Sequence, residues 1–281
     1  MGTLYLVATP IGNLGDITYR AVEVLGQVNF IAAEDTRQTR KLLSHYKIEA
    51  AQRLISYHEH SKDHQLAKIV ALLDDGDVAL VSDAGTPGIN DPGFALVGAA
   101  LDAGHQVVPV PGPSAPIAAI IGSGLPADSF LYLGYLPRKT AARVKALDSV
   151  ITSPHTLIFL ETPHRLVNAL ADIQSVLGDR EIAVARELTK LYEEFFRGSV
   201  GQALAHFQDN PPRGEITLVI AGAADQKTAW STDDLEKAVA EALITDQKPS
   251  VIARRLAAES GWPRRDIYDM VTRLRDEGTT T

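Results

Sequence analysis

The chain has 281 residues, of which 45% are hydrophobic, enough for two α/β lobes of ordinary size and a small additional module. It contains no Cys, which excludes disulfides, thiolate metal sites and a Cys nucleophile. The net charge of -8 argues against a dedicated nucleic-acid coat protein. The sequence has neither a leader pattern of basic residues followed by apolar ones nor a long uninterrupted apolar stretch, so we expect a cytoplasmic protein.

Short runs rich in Val, Ile and Leu alternate with helical patterns, which is typical of a parallel or mixed sheet covered by helices. The first half has predicted strands at residues 4–8, 29–33, 53–57, 78–82 and 106–110. The second half has predicted strands at residues 130–133, 156–160, 181–185 and 215–220, with a helix at 165–176. We therefore expect two α/β lobes, at residues 1–113 and 114–224, joined near residues 111–116.

Polar, Gly-rich or Pro-rich loops follow eight of these strands. In chain order they read "TPIGNLGD", "EDTRQTR", "HEH", "SDAGTPGINDPG", "PGPSA", "GYLPRK", "ETPHR" and "RELTK". Any one of them could be an ordinary connector. Ligands of open α/β sheets bind at the carboxyl ends of strands, so the eight together predict a shared cleft.

The Gly-rich loops do not read as phosphate cradles. None contains Gly-Lys-Ser/Thr or the spacing G-x-G-x-x-G, and Pro10 and Pro87 remove backbone donors that a pyrophosphate would need. Pro-rich turns leave carbonyl groups free, and Ile11 and Ile89 add small apolar walls. S-adenosylmethionine suits such a site, because its sulfonium needs no phosphate cradle and its adenine can be held by backbone groups.

Six segments carry a resemblance to a known family. They are "LYLVATPIGNLGDIT", "AAEDTR", "LVSDAGTPGINDPG", "VVPVPGPSA", "ARELTK" and "RGEITLVI". Together they resemble the tetrapyrrole methylase-like (class III) S-adenosylmethionine methyltransferases, in the branch that acts on small-subunit ribosomal RNA. The resemblance covers residues 4–222.

The resemblance implies two α/β lobes with S-adenosylmethionine in the cleft between them, usually in a homodimer. It also implies 2'-O-methylation of a cytidine ribose in the decoding region of small-subunit (16S) ribosomal RNA. The cofactor contacts it implies are Pro10, Ile11, Asp83, Gly85, Thr86, Ile89, Ser114, Ala115, Leu160, Ala185 and Ile216. Corrin methylases carry Gly-Asp-Pro where this chain has Gly-Thr-Pro at residues 85–87, which favours the RNA branch.

A ribose hydroxyl is a poor nucleophile, so a base or a group that orients the ribose should help the transfer. The candidates are charged residues at strand ends, and no single one stands out as the base. They are Glu34, Asp35, Arg37, His58, Arg186, Glu187 and Lys190. The alternative role for "EDTR" and "RELTK" is an ordinary salt bridge that holds loops in place.

Two further groups of residues have alternative interpretations. His58, His60 and His64 could converge on a metal, but without Cys or an obvious supporting acid we expect a solvated or RNA-facing loop and no metal. Glu161 would lie beside the cofactor with Arg165 at the start of a helix, and helix capping is the structural alternative.

Residues 228–281 form a predicted basic helical module. Residues 248–275 contain seven Lys or Arg and three acids, and two helical patterns are joined there by a short Gly-containing turn. This pattern predicts a helix-turn-helix-like module that contacts nucleic acid. The structural alternative is a small three-helix cap whose arginines face solvent. The candidate RNA contacts are Arg254, Arg255, Arg264, Arg265 and Arg273.

Two other functions remain open at this point. One is a small-molecule methyltransferase of the corrin or tetrapyrrole type, against which the basic module argues. The other is a nucleic-acid-binding regulator whose lobes sense a nucleotide-like ligand.

Overall fold

A computed structural model describes residues 2–49, 53–58, 63–223, 230–244 and 247–278. The chain divides into two compact units, residues 1–223 and residues 224–281. The larger unit contains both α/β lobes. None of the described helices is both long enough and apolar enough to cross a bilayer.

The first lobe is a five-stranded parallel sheet of order β3-β2-β4-β1-β5 with helices between the strands. Its strands are β1 Thr3–Val7, β2 Phe30–Ala33, β3 Leu54–Ser56, β4 Val78–Val81 and β5 Gln106–Val110. Its helices are α1 Tyr19–Gln27, α2 Thr36–His45, α3 Asp63–Asp75 and α4 Phe94–Asp102, with a 3-10 turn at Leu14–Asp16. All four residues of β4 are buried, because helices cover both faces of the sheet.

The second lobe is a five-stranded mixed sheet of order β6-β7-β10-β8-β9. Its strands are β6 Phe130–Tyr135, β7 Thr156–Glu161, β8 Glu181–Arg186, β9 Glu194–Ser199 and β10 Ile216–Ile220. Its helices are α5 Ala115–Ser123, α6 Thr140–Asp148, α7 Leu166–Leu177 and α8 Val200–Asp209, with a 3-10 turn at Pro163–Arg165. Because β10 is antiparallel to β7 and β8, its amino end lies beside their carboxyl ends.

The two-lobe α/β fold and all nine predicted strands are confirmed, with strand ends shifted by at most two residues. The predicted helix at 165–176 is also confirmed within one residue at each end. The sequence analysis missed β9. This edge strand, "EFFRGS", contains Glu194, Arg197 and Gly198 and has no fully buried residue, so its hydrophobic signal is weak.

Hydrophobic clusters line both sheets, and one of them connects the lobes. Ile11, from the loop after β1, packs with Ile120 of α5 and with Ile158, Ala183 and Val219 of the second sheet. All five residues are at least nine-tenths buried. The loop after β1 is therefore anchored in the second lobe, which fixes one wall of the cleft.

The smaller unit is a three-helix bundle of α9 Thr232–Leu243, α10 Pro249–Ser260 and α11 Arg264–Gly278. Ser231 caps α9 by accepting the Asp234 N–H. Gly261 ends α10 in the left-handed conformation, and residues 261–263 form the short turn to α11. Leu235, Ile252 and Ile267 contribute one fully buried side chain from each helix.

Candidate active site

The loops after β1 and β4 are joined at the carboxyl edge of the first sheet. The Thr9 N–H donates to the Gly85 carbonyl at 2.8 Å, and the Gly85 N–H donates to the Thr9 carbonyl at 3.0 Å. Gly85 has φ +81°, and a Cβ there would lie 3.4 Å from Ile11 Cγ2. Glycine adopts this left-handed conformation without the strain that a side chain would add, so the two loops can approach closely.

The loop after β5 is hydrogen-bonded to the loop after β4. The Thr86 hydroxyl donates to the Pro113 carbonyl at 3.2 Å, and the Thr9 hydroxyl donates to the Ser82 carbonyl at 3.2 Å. Three strand ends of the first lobe therefore form one continuous surface.

A first cavity of about 250 Å³ lies above this surface and is closed by the second lobe. Its residues come from the loops after β1, β2, β4 and β5 and from β6, β7 and the start of β10. They are Ile11, Glu34, Asp83, Ala84, Gly85, Thr86, Ile89, Asn90, Asp91, Ser114, Ala115, Pro116, Tyr132, Tyr135, Leu160, Glu215, Ile216 and Thr217.

The first cavity is acidic. Its lining includes four carboxylates and, among the described residues, no Lys, Arg or His. The pKa of Asp91 is raised to about 6, chiefly because burial penalises its charged form and secondarily because Glu34 repels it. Burial likewise raises the pKa of Tyr132 to about 12. Such a chamber favours a cationic ligand over a phosphate.

A second cavity of about 410 Å³ adjoins the first and lies toward α2. Its lining residues are Thr9, Pro10, Ile11, Gly12, Leu14, Gln38, Thr39, Lys41, Leu42, Ser82, Asp83, Ala84, Lys190 and Glu215. Both cavities include Ile11, Asp83, Ala84 and Glu215 in their linings. We call these four residues the shared wall.

A charged network holds Lys190 at the shared wall. Its Nζ donates to Glu187 Oε1 at 2.9 Å and to Glu215 Oε2 at 3.1 Å. Burial is the largest single influence and opposes charge on Glu187 and Lys190. The hydrogen bonds and charge attractions around them together outweigh it, so the pKa of Glu187 is lowered and that of Lys190 is raised. Glu187 Oε1 also accepts the Glu215 N–H at 3.0 Å. Both partners remain charged, so Lys190 is fixed in position.

The residues after β2 form a second pair of charges. Asp35 caps α2 by accepting the Arg37 N–H at 2.8 Å, and its carboxylate also binds the Arg37 guanidinium at 2.7 Å. The hydrogen bond from Arg37 holds the pKa of Asp35 at about 2. Asp83 Oδ1 accepts the Asp35 N–H at 3.0 Å, and Glu34 Oε2 accepts the Asp83 N–H at 3.3 Å. A carboxylate with so low a pKa is a weak proton acceptor near neutral pH.

Comparison with known proteins identifies the family. Residues 3–204 match the family model of Tetrapyrrole (Corrin/Porphyrin) Methylases. The chain belongs to this family. It is 47% identical, over 99% of its length and 100% of the relative's, to a ribosomal RNA small subunit methyltransferase I from Synechocystis sp.. A protein of the same name from Micromonospora olivasterospora is 47% identical over 96% of this chain and 86% of its own length.

The tetrapyrrole methylase fold is also seen in more distant solved structures. A cobalamin biosynthetic enzyme, cobalt precorrin-4 methyltransferase, is similar with a TM-score of 0.57 and 14% identity over 78% of this chain and 94% of its own. This likeness concerns the fold.

The tetrapyrrole methylase cleft brings together most of the cofactor contacts expected from sequence. The first cavity is lined by Ile11, Asp83, Gly85, Thr86, Ile89, Ser114, Ala115, Leu160 and Ile216. Pro10 lines the second cavity. Ala185 lies outside both linings, buried in β8 opposite Thr217 of the neighbouring strand.

The expected catalytic residues lie around the two cavities. Glu34 lines the first cavity and Lys190 the second. Glu187 lies outside both linings and forms an ion pair with Lys190. Asp35 and Arg37 lie at the start of α2 beside Asp83. Arg186 pairs with Glu194 of β9 at 2.7 Å.

The remaining candidates lie elsewhere. Glu161 is 2% exposed and pairs with Arg165 at 3.0 Å, while it also accepts the Thr162 N–H at 2.7 Å.

The part of the chain that the structure describes contains no group of three or more His, Asp or Glu arranged for a metal ion. His60 lies outside the described residues.

Sequence reasoning missed several cavity residues. Asn90 and Asp91 lie in the loop "SDAGTPGINDPG", of which only four other residues are expected cofactor contacts. Glu215 was missed because the prediction considers only the carboxyl ends of strands, whereas an antiparallel strand brings its amino end to the cleft. The sequence signal that could have found Glu215 is its position at the start of a predicted strand, which lies at the cleft when that strand is antiparallel to its neighbours.

The first cavity fits S-adenosylmethionine. Its carboxylates suit the positive charges of the sulfonium and the amino group, and the side chains of Ile11, Ile89, Leu160 and Ile216 offer apolar contact to the adenine. The first cavity has no cationic lining residue that would select a phosphate among the described residues.

Proposed function

We propose that this protein transfers a methyl group from S-adenosylmethionine to the ribose 2'-hydroxyl of a cytidine in the decoding region of small-subunit (16S) ribosomal RNA. The observation that carries the proposal is 47% identity along 99% of the chain with a ribosomal RNA small subunit methyltransferase I. The corrin-type alternative is supported by the family model and by fold likeness, as to the precorrin-4 methyltransferase at 14% identity, but by no relative of comparable identity.

The first cavity is the proposed cofactor site. When bound, S-adenosylmethionine supplies a methyl group whose bond to sulfur breaks as the bond to the ribose oxygen forms. The residues proposed to hold it in this cavity are Ile11, Asp83, Gly85, Thr86, Ile89, Ser114, Ala115, Leu160 and Ile216. Pro10, which lines the second cavity, and Ala185, which lies outside both linings, are two further contacts that the family resemblance implies. Their main task is to hold the methyl carbon in line with the acceptor oxygen, about 3 Å away.

The charged residues around the cavities are proposed to position the ribose and receive its proton. Glu34 orients the Asp83 backbone, and the Asp35–Arg37 pair orients the start of α2. Glu187 holds Lys190 at the shared wall. The low pKa of Asp35 argues for an orienting role rather than proton acceptance.

The basic helical module is proposed to bind the phosphate backbone of RNA. Arg254, Arg255, Arg264, Arg265 and Arg273 are all exposed. Arg273 contacts Glu236 at 3.4 Å. Within the described residues the other four have no carboxylate partner, so they are available for phosphates.

We also propose that the protein is a homodimer that acts in the cytoplasm, where small ribosomal subunits are. Exposed apolar side chains support self-association. Ile121 of α5 is 74% exposed, and Leu191 and Tyr192, before β9, are 87% and 70% exposed.

A labelling experiment tests the function. The protein is given radiolabelled S-adenosylmethionine and purified small subunits lacking the modification, and the label is located by nuclease digestion. We expect label in a 2'-O-methylcytidine. Label transferred to a tetrapyrrole but not to RNA would overturn the proposal, and salt-dependent binding to duplex DNA without methyl transfer would favour a regulator.

A further inference from the structure

The two adjoining cavities differ in charge. The first has four carboxylates in its lining and, among described residues, no cation. The second shares two of those carboxylates, Asp83 and Glu215, but is also lined by Lys41 and Lys190. A phosphodiester would therefore be repelled by the first chamber, whereas the second offers it cations to pair with. The cavities meet at the shared wall, so ligands in the two chambers would face each other there.

The two lysines of the second cavity are in different electrostatic states. Lys190 is held between Glu187 and Glu215 at 2.9 and 3.1 Å, so much of its charge is compensated. Lys41 is exposed on α2 and donates to Gln38 Oε1 at 3.3 Å. Within the described residues Lys41 has no carboxylate partner. Its charge is therefore available to an anion entering the cavity.

Gln38 and Lys41 lie one turn apart on α2, and both face the second cavity together with Leu42. Arg40, their neighbour on the same helix, faces a different depression that includes Leu43 and Lys47. The helix thus directs one cation into the cavity and another away from it.

We propose that the second cavity is the acceptor-nucleotide site, and that Lys41 binds a phosphate adjoining the methylated ribose. The proposal rests on the proposed function and extends it by assigning the RNA to a chamber separate from the cofactor. The ribose would lie against the shared wall, where its hydroxyl reaches the first cavity. Gln38 would hold Lys41 and leave the remaining donors of its ammonium group for the phosphate.

Lys41→Ala and Arg40→Ala form a matched pair for the test, since each removes one exposed cation from the same helix. We expect Lys41→Ala to raise the KM for small subunits by about 5- to 10-fold and to lower the dependence of binding on salt by about one unit of log-log slope. Lys41→Arg should restore most of the affinity. Arg40→Ala should change KM by less than about twofold, and the Kd for S-adenosylmethionine should stay unchanged in all three variants.

The outcomes separate the two proposals. If wild-type protein labels small-subunit RNA but Lys41→Ala behaves like Arg40→Ala, the acceptor-site proposal is overturned. A loss of S-adenosylmethionine affinity in Lys41→Ala equal to its rise in KM would overturn it as well. If wild-type protein places no label in RNA, the proposed function fails whatever the variants do.

Discussion

Individual residues of the loop "SDAGTPGINDPG" have separate tasks at the site. Gly85 permits the close approach to Thr9, Thr86 ties the loop to Pro113, and Asp91 adds a half-buried carboxylate. A side chain in this loop therefore acts either on the cavity's shape or on its charge, and the two effects can be measured separately.

Thr86→Arg tests the cavity's shape and charge. A long cationic side chain would enter the first cavity, so we expect loss of measurable S-adenosylmethionine binding by calorimetry with an unchanged circular dichroism spectrum. Thr86→Ser retains the hydroxyl that donates to Pro113 and is the control, with a Kd within about threefold of wild type. Unchanged affinity in Thr86→Arg would remove the loop from the cofactor site.

Asp91→Asn tests the half-buried carboxylate through the pH dependence of stability. The pKa of Asp91 is raised from 3.8 to about 6, so the folded protein binds more protons than the unfolded chain between these values. The stabilising contribution is complete below pH 3.8 and is lost as pH rises through 6. The Asp91 carboxylate accepts a hydrogen bond from the Ser82 side chain. Asn avoids the loss of stability and retains an oxygen for that bond, so Tm at pH 8 should rise by about 2–4 °C.

The difference in Tm between Asp91→Asn and wild type should disappear below about pH 4, where both side chains are neutral. Thermal unfolding monitored by circular dichroism at a series of pH values measures it. A difference that is constant with pH would show that Asp91 is not the titrating group.

At the scale of elements, the close approach of the β8–β9 connection to the residues before β10 requires a glycine at position 214. Gly214 has φ +81°, and a Cβ there would lie 2.1 Å from Glu187 Oε1. Glu187 itself has φ 50° and Thr189 has φ 64°, so this connection adopts a conformation that side chains seldom take. The strained backbone conformation of this connection places Glu187 where it pairs with Lys190 and holds it at the shared wall.

Gly214→Ala should displace Glu187 and release Lys190. Gly178→Ala is the control, because Gly178 also has φ +81° but a Cβ there would meet no atom within 4 Å. Both variants should lose about 1–3 kcal/mol of unfolding free energy, because each places a side chain at a residue whose φ is +81°. We expect Gly214→Ala alone to lose methyltransferase activity as well, by about tenfold or more, measured by label transfer beside urea denaturation. Equal activity in the two variants would contradict the role of the Glu187–Lys190 pair.

At the scale of the whole molecule, the acidic body and the basic helical module have separate tasks in the proposed function. The net charge of -8 does not describe the module, where exposed arginines are concentrated. A long-range attraction to RNA should therefore depend on the module, while methyl transfer depends on the lobes.

Arg264→Ala combined with Arg265→Ala should weaken binding to small subunits and lower the log-log salt slope by about two units. The Kd for S-adenosylmethionine should be unchanged. Lys68→Ala, which removes an exposed cation from α3 of the first lobe, is the control and should leave the slope unaltered. A salt slope equal to that of wild type would exclude these arginines from phosphate contact.

Ile121→Glu tests the proposed homodimer. A charge on this 74% exposed side chain of α5 should shift the protein to a monomer in sedimentation velocity experiments at micromolar concentration. Leu101→Glu, at a 56% exposed position on α4 of the other lobe, should leave the dimer intact. A wild-type protein that sediments as a monomer would refute the homodimer itself.

The sequence by itself determined the two α/β lobes and most of the proposed cofactor surface. Hydrophobic periodicity located nine of the ten strands, and the loops after parallel strands such as β1, β4 and β5 must meet at one edge of their sheet. Because strands that alternate with helices are predicted to be parallel, the sequence suffices to assign the loops that contain Ile11, Gly85 and Ser114 to one cleft.

Only the tertiary structure decided the rest of the site. The antiparallel direction of β10 brings Glu215 to the shared wall, and strand direction cannot be read from local hydrophobicity. The charge difference between the cavities likewise depends on residues far apart in sequence, such as Lys41 and Lys190. Charge at a site is set by distances through space, so the sequence supplied these groups and the fold decided which chamber each one faces.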